Sequence, residues 1–196
     1  MGINYEALRL VGDARNTLEP LTAALEEKDL SHRSIIRPTL EKQIAAAFSK
    51  YQDEFSAVMY SDQMPLRPER VMTVLQNHIR TSDIVVADAS YSSIWITNGL
   101  LCTKAGQRFL TPRGLAGLGW GFPMALGAKI AQPQAEVYAV VGDGGFAHAW
   151  AELETAARTG TKAIVILLNN GILGFQKHAE HIKFGAATNA VNFVEV

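Results

Sequence analysis

Short apolar runs separated by helix-length segments constrain this chain more than any other feature of its sequence. Asp83-Ile84-Val85-Val86-Ala87-Asp88, Arg108-Phe109-Leu110, Glu136 to Val141 and Ala163 to Leu168 have strand length, bounded by polar or turn residues. Between them lie Tyr91 to Leu101, Phe122 to Ala131 and Phe146 to Thr159, which read as helices, and Glu69 to Ile79 precedes the first run with Val71, Val74, Leu75 and Ile79 at helical spacing. Strands that are apolar throughout, rather than on alternate residues, are buried on both faces. The pattern therefore predicts an α/β fold: a doubly wound parallel sheet with helices on both sides. A hydrophobic fraction of 48% can fill such a core, and a charged fraction of 19% leaves much surface to be covered.

Upstream the pattern differs. Ala7 to Asp13 reads as a short strand and turn, Asn16 to Lys28 as a helix carrying Leu18, Leu21 and Leu25, and Asp29 to Arg33 as a polar connection. A long helix follows from Pro38 to about Tyr60, with Leu40, Ile44, Ala47, Tyr51, Phe55 and Val58 on one side. Pro65 and Pro68 then disfavour helix and mark the best domain boundary. The expected division is 1–28, 29–64 as a helical linker, and 65–196 as the main domain.

Lys and Arg total 18 against 19 Asp and Glu, a net charge of −1, so no bulk charge recruits nucleic acid or an anionic membrane. Met1 to Leu10 mixes charge with apolar residues and is not expected to act as a signal peptide, and no stretch approaches the roughly 20 apolar residues of a membrane span. One cysteine, Cys102, cannot form an internal disulfide, which suits a reducing, cytoplasmic setting. It has no activating neighbour in sequence and is expected to be buried and inert.

Two strand ends carry the chemistry. Gly142-Asp143-Gly144-Gly145-Phe146 stands where a buried strand turns into a helix, the place where open parallel sheets bind ligands. The glycines permit close backbone approach, and amides at a helix start favour a phosphate. Asp143 opposes an anion unless a hard divalent cation lies between them. Taken alone, the segment reads equally as a sharp turn with Asp143 as its N-cap. Asn169-Asn170-Gly171 closes the next buried strand and offers neutral oxygens, ordinary ligands for hard cations, although Asn-Gly is also a turn dipeptide.

Gly142-Asp143-Gly144 with Asn170 placed 27 residues after Asp143 (170 − 143) resembles the motif of thiamine-diphosphate-dependent enzymes. Gly114-Leu115-Ala116-Gly117-Leu118-Gly119-Trp120-Gly121-Phe122-Pro123 and Ala151-Glu152-Leu153-Glu154-Thr155 extend the likeness toward the acetolactate synthase group, specifically its C-terminal diphosphate-binding domain. The resemblance implies that Asp143, the Asn170 side chain and the Ile172 backbone carbonyl hold Mg²⁺. It implies that Gly142, Gly144, Gly145 and Ile172 line the thiamine diphosphate. Ser90, Tyr91 and Ser92 stand where some relatives carry Gly-Gln-His, and would form the other diphosphate-binding turn. Ala116 and Leu118 would hold the aminopyrimidine, with Leu118, 25 residues before Asp143 (143 − 118), as the apolar wedge that bends the cofactor. Without the resemblance Leu118 reads as core.

The implied activity is decarboxylation of a 2-keto acid, with or without ligation to a second carbonyl, in a homo-oligomer holding cofactor at the subunit interface. The glutamate that activates the cofactor in such enzymes comes from a separate N-terminal domain, so no catalytic residue is assigned here. Residues 1–28 would be the last strand and helix of a central domain, and Asn192 to Val196 the start of a further helix. The expectation is a truncated chain, inactive by itself. Benzoylformate, oxalyl and glyoxylate decarboxylases share the same cofactor motif, and a non-catalytic fragment is the alternative. His178 and His181 read as a solvated or substrate-side pair rather than a metal site. His148 and Glu152, four apart, read as a structural pair.

Overall fold

The computed structural model describes residues 8–193. The chain divides into two compact units, Met1–Phe55 and Ser56–Val196.

The first unit is helical. Helix α1 spans Ala14–Glu26, and Asp13 caps it by accepting the Asn16 amide at 3.0 Å on its side chain. Helix α2, Ser31–Met59, carries the chain on into the second unit. It begins earlier than the sequence suggested: Asp29 accepts the Ser31 amide at 2.9 Å, and the polar Ser31-His32-Arg33 run enters the helix, which continues through Pro38. The expected strand at the start does not form. Leu8 to Asp13 is irregular with Leu8 and Val11 almost fully exposed, and a strand without a partner leaves its amides unpaired. Ala7 lies outside the described residues. The apolar side of α2, including Leu40, Ile44, Tyr51 and Phe55, stays exposed.

The second unit is the doubly wound α/β domain. After α3 (Pro68–His78) come β1 (Ile84–Ala87), α4 (Tyr91–Gly99), β2 (Arg108–Leu110), α5 (Gly121–Ala131) and β3 (Val137–Gly142). Then follow α6 (Asp143–Ala147), α7 (Glu152–Thr159), β4 (Ile164–Leu168) and α8 (Gly174–Phe184). All strand pairs are parallel, in the order β2-β1-β3-β4. Val86 lies opposite Ala139, and Val140 opposite Ile166.

Alternation along the strands feeds two cores. Ile84, Val86, Val137, Ala139 and Val141 meet Ala125 and Ala128 of α5 on one face. Val85, Ala87 and Val140 meet Met72 and Leu75 of α3 and Ile96 of α4 on the other. Fully burying each of the larger side chains contributes roughly 1.5–3 kcal/mol, which is why these runs remain strands whatever their local propensity. The chain passes from β1 outward to β2, then back across to β3. The strand order thus reverses between β1 and β3, and their carboxyl ends flank the crevice where such sheets take ligands.

The segment Phe146 to Thr159 is not one helix. Between α6 and α7 the amides of His148, Ala149 and Glu152 bond three residues back, to Gly145, Phe146 and Ala149, in tight turns. Gly119 presses against this bend: a Cβ there would stand 2.8 Å from the His148 Cβ. His148 therefore belongs to the bend and not to a continuous helix shared with Glu152.

Candidate functional site

Four segments converge at the carboxyl edge of the sheet. They are Asp88 to Ser92 after β1, the loop leading into α5, the turn from β3 into α6, and the stretch from β4 to α8.

Asp143 joins the last two. Its Oδ1 accepts the Gly144 amide at 2.9 Å, and its Oδ2 accepts the Gly171 amide at 2.7 Å. The carboxylate thus clamps the end of β3 to the end of β4, beside Asn170. The Asn170 Oδ1 accepts the Ile172 amide at 3.2 Å, while the Ile172 carbonyl accepts the Gly174 amide at 3.0 Å. Each of these oxygens keeps a lone pair beyond the bonds named. Gly171 sits at φ +66°, and Ile172 forms an isolated antiparallel bridge with Asn192 that closes the chain over this edge. Asn192 is thus a bridge residue, and Phe193 donates its amide to the Gly171 carbonyl at 2.9 Å. The rest of the expected terminal helix, 194–196, lies outside the described residues.

The diphosphate-type turn approaches from β1. Ser92 is buried, and a Cβ on Gly142 would stand 3.7 Å from its Oγ. Ser90 holds φ +68° and ψ −147°, a region L-residues rarely enter, just ahead of α4. Tyr91 turns toward α8 instead: its hydroxyl shares a hydrogen bond with His178 Nδ1, and its ring meets Phe175 edge-on at 5.7 Å. No local pattern announces that pairing, since the two lie 87 positions apart. His181 does not join it, and among the described residues no three His, Cys, Asp or Glu side chains gather as a metal cluster.

The loop before α5 carries Ala116 at φ +53° and Leu118 40% exposed, so Leu118 is not a core residue. The structure brings this loop to the strand ends through a residue that the sequence reading passed over. Asp88 is 1% exposed. Its Oδ1 accepts the amides of Ala89 (2.9 Å), Trp120 (3.2 Å) and Gly121 (3.3 Å), and its Oδ2 accepts that of Gly119 (2.9 Å). A carboxylate ending an otherwise apolar strand run is the signal that could have found it.

Asp88 also changes the meaning of two glycines. A Cβ on Gly121 would stand 2.8 Å from the Asp88 nitrogen, and one on Gly145 would collide with Asp88 Oδ2. At Gly144 a Cβ would stand 2.8 Å from Phe193 Cζ. These glycines are required by close packing against protein atoms, not only by ligand approach. Helix α6 has five residues, so its amides act locally and not through a long helix dipole.

Cys102 is exposed, contrary to expectation. After α4 the chain buries Leu100, which leaves Leu101 and Cys102 facing outward, with Sγ near the Lys104 carbonyl at 3.3 Å.

Oxygen donors only, in the form of one carboxylate, one side-chain amide and one main-chain carbonyl, suit a hard cation sharing its shell with phosphate oxygens. Comparison with known proteins agrees on the cofactor class. The model of the family described as thiamine pyrophosphate enzyme, C-terminal TPP binding domain, matches residues 88–196. The probable acetolactate synthase large subunit of Methanocaldococcus jannaschii is 28% identical over 204 residues, covering 100% of this chain and 33% of that protein. The probable 2-ketoarginine decarboxylase of Pseudomonas aeruginosa is 32% identical over 171 residues, covering 86% of this chain and 28% of that protein. The thiamine diphosphate-dependent 4-hydroxybenzoylformate decarboxylase of Rhodococcus jostii RHA1 superposes with a TM-score of 0.62 at 24% identity, over 69% of this chain and 25% of that one, a likeness of fold. The chain spans about a third of the length of the acetolactate synthase relatives it matches. With more than half its residues under one family model, the chain belongs to the thiamine pyrophosphate enzymes, as their C-terminal TPP-binding domain.

Proposed function

We propose that this chain is the thiamine-diphosphate- and Mg²⁺-binding module of a 2-keto acid decarboxylase or carboligase of acetolactate synthase type. The observation that carries the reading is the Asp143 clamp: one carboxylate accepting the Gly144 and Gly171 amides gathers the oxygen donors of two strand ends at one edge.

Thiamine diphosphate would supply, when bound, an acidic ring carbon as the nucleophile for a keto carbonyl and a cationic ring as the sink for the electron pair that carbon dioxide leaves behind. This chain's residues bind and orient. Asp143, Asn170 and the Ile172 carbonyl are the oxygen donors that would hold a hard divalent cation, which would supply the charge to offset a diphosphate. Gly142, Gly144, Gly145 and the Ser90–Ser92 turn line the diphosphate, with Ser90 and Ser92 offering hydroxyls where Tyr91 is engaged by His178. Leu118, half-exposed on its loop, would offer an apolar surface to the cofactor's rings, with the Ala116 backbone beside it.

The activating glutamate implied by the resemblance is assigned to none of these residues. The proposal therefore includes binding without turnover by this chain alone, and catalysis in a homo-oligomer with the cofactor at a subunit interface. A cytoplasmic setting accords with the single, exposed thiol. Both acetolactate synthase and decarboxylase relatives match this chain, so the reading covers carboligation and simple decarboxylation alike.

Calorimetric titration tests the reading. Thiamine diphosphate is expected to bind in the presence of Mg²⁺ and not in the presence of a chelator. Asp143→Ala removes the only carboxylate of the proposed set and should abolish Mg²⁺-dependent binding. Unchanged affinity in that variant, or no binding by the unaltered chain, overturns the proposal.

A further inference from the structure

We propose that Asp88 is a positioning residue that fixes the Gly119–Gly121 loop against the cofactor-binding strand ends. The inference rests on the thiamine-diphosphate reading above and deepens it.

Three facts carry it. First, the Asp88 carboxylate is the meeting point of four amides, and three of those come from a loop more than 30 residues away in sequence. Second, its backbone is held too: the Asp88 amide donates to the Val140 carbonyl of β3 at 3.0 Å, so the side chain projects from the sheet's own hydrogen-bond network. Third, Gly121 and Gly145, on separate segments, both lack room for a Cβ because Asp88 occupies it. One buried side chain thus sets the distance of the Leu118 loop from the strand ends that carry the Ser90–Ser92 turn and the Asp143 turn, whose own spacing the β1–β3 pairing holds. Those are the three places where the proposed cofactor is gripped at its diphosphate, its aminopyrimidine and its metal.

A carboxylate suits this position for a chemical reason. Its two oxygens only accept, and every partner here donates. Asparagine keeps the shape but replaces one acceptor with an NH₂ donor. Placed in the Oδ2 position, that donor faces the Gly119 amide, and the alternative flip faces three amides. Either orientation leaves buried or partly buried donors unmatched.

Without that hold, the loop's geometry is hard to maintain. Gly119 sits at φ +86° and Ala116 at φ +53°, and Leu115 is 99% exposed, so no described residue covers the Leu115 end of the loop. The carboxylate is the anchor that lets an exposed loop present Leu118 in one place.

Asp88→Asn separates positioning from general stability. Two ligands are titrated with Mg²⁺: thiamine diphosphate, which needs all three segments, and inorganic diphosphate, which needs only the diphosphate and metal turns. The expected result is about a tenfold or greater loss for thiamine diphosphate, with a change within about threefold for inorganic diphosphate. Equal losses for both, or no loss, overturn the proposal.

A second measurement needs no cofactor and no variant. In the unaltered chain, hydrogen exchange at the Gly119, Trp120 and Gly121 amides should be slow, comparable to Val140 and Val141. Exchange as fast as at Leu115 overturns the proposal even if Asp88→Asn does not fold. Failure of the unaltered chain to bind either ligand would instead sink the cofactor reading, and the exchange rates would still decide what Asp88 does.

Discussion

Ser90 carries a backbone conformation that costs of order 1–3 kcal/mol for a residue with a Cβ. Nothing in its side chain is seen to offset that cost, whereas its carbonyl is well used, accepting the Ser93 hydroxyl at 2.9 Å. Glycine adopts the same angles freely and keeps the carbonyl. Ser90→Gly should therefore stabilise the chain by about 1 kcal/mol after glycine's own entropy cost, read as a raised urea midpoint. A lowered midpoint would show that the serine hydroxyl matters more than the strain. At this scale the sequence was legible where a residue type has few uses and obscure where it has many. Asp143 and Asn170 stand out because an acid and an amide close apolar strands. Asp88 also closes one, but its partners lie in a loop that no local pattern connects to it. Tyr91 stands in the expected diphosphate-binding turn, and only the fold brings His178 to its hydroxyl.

Strands are the elements the sequence determined most directly, because a run such as Ile84–Ala87 with every residue buried has no exposed face to confuse its period. The break between α6 and α7 left no such mark. No glycine or proline lies between Phe146 and Thr159, and the bend falls where Gly119, distant in sequence, lies against His148. Helix α3 tests how the second unit is held. Met72 is 1% exposed and fills the space against Gly99 of α4, where a Cβ would stand 2.7 Å from the Met72 Cβ. Met72→Ala should cost about 2–5 kcal/mol in denaturant unfolding, and a cost below about 1 kcal/mol would mean that α3 is not part of the core.

Helix α8 makes a different prediction. Glu180 accepts the Gln176 side-chain amide at 3.0 Å and the Thr188 amide at 2.7 Å. These bonds, the Gln176 one foremost, hold its carboxyl below the usual range. A lowered pKa in the folded state means that the bonds support the fold above the unfolded value near 4.5 and lose that support as pH falls through the lower, folded one. Exchange at the Thr188 amide, corrected for intrinsic rate, should therefore accelerate in acid. In Glu180→Gln it should show no such acid step, and an identical step in both would assign it to another group.

Taken whole, the molecule is two units of unlike character, and composition had hidden this. A 48% hydrophobic fraction does not say where along the chain a core forms. The core lies in the second unit, while Leu40, Ile44, Tyr51 and Phe55 of α2 remain exposed. Spacing places those residues on one side of a helix, but spacing alone does not supply something for that side to rest on. The sheet has its own version of the same problem. β4 pairs with β3 along one side, and no strand of the described residues pairs with it along the other. Ile164 and Leu167 on it are 44% and 45% exposed. A strand edge of branched apolar residues is a template for adding another strand. The expected behaviour is self-association that rises with concentration, visible in sedimentation velocity. Leu167→Lys should suppress it by putting a charge on that edge, and unchanged sedimentation would place the contact elsewhere. The handling of this protein in solution thus follows from the sheet: dilute conditions, or a partner laid along β4, should keep it dispersed where concentration alone would drive it to stack.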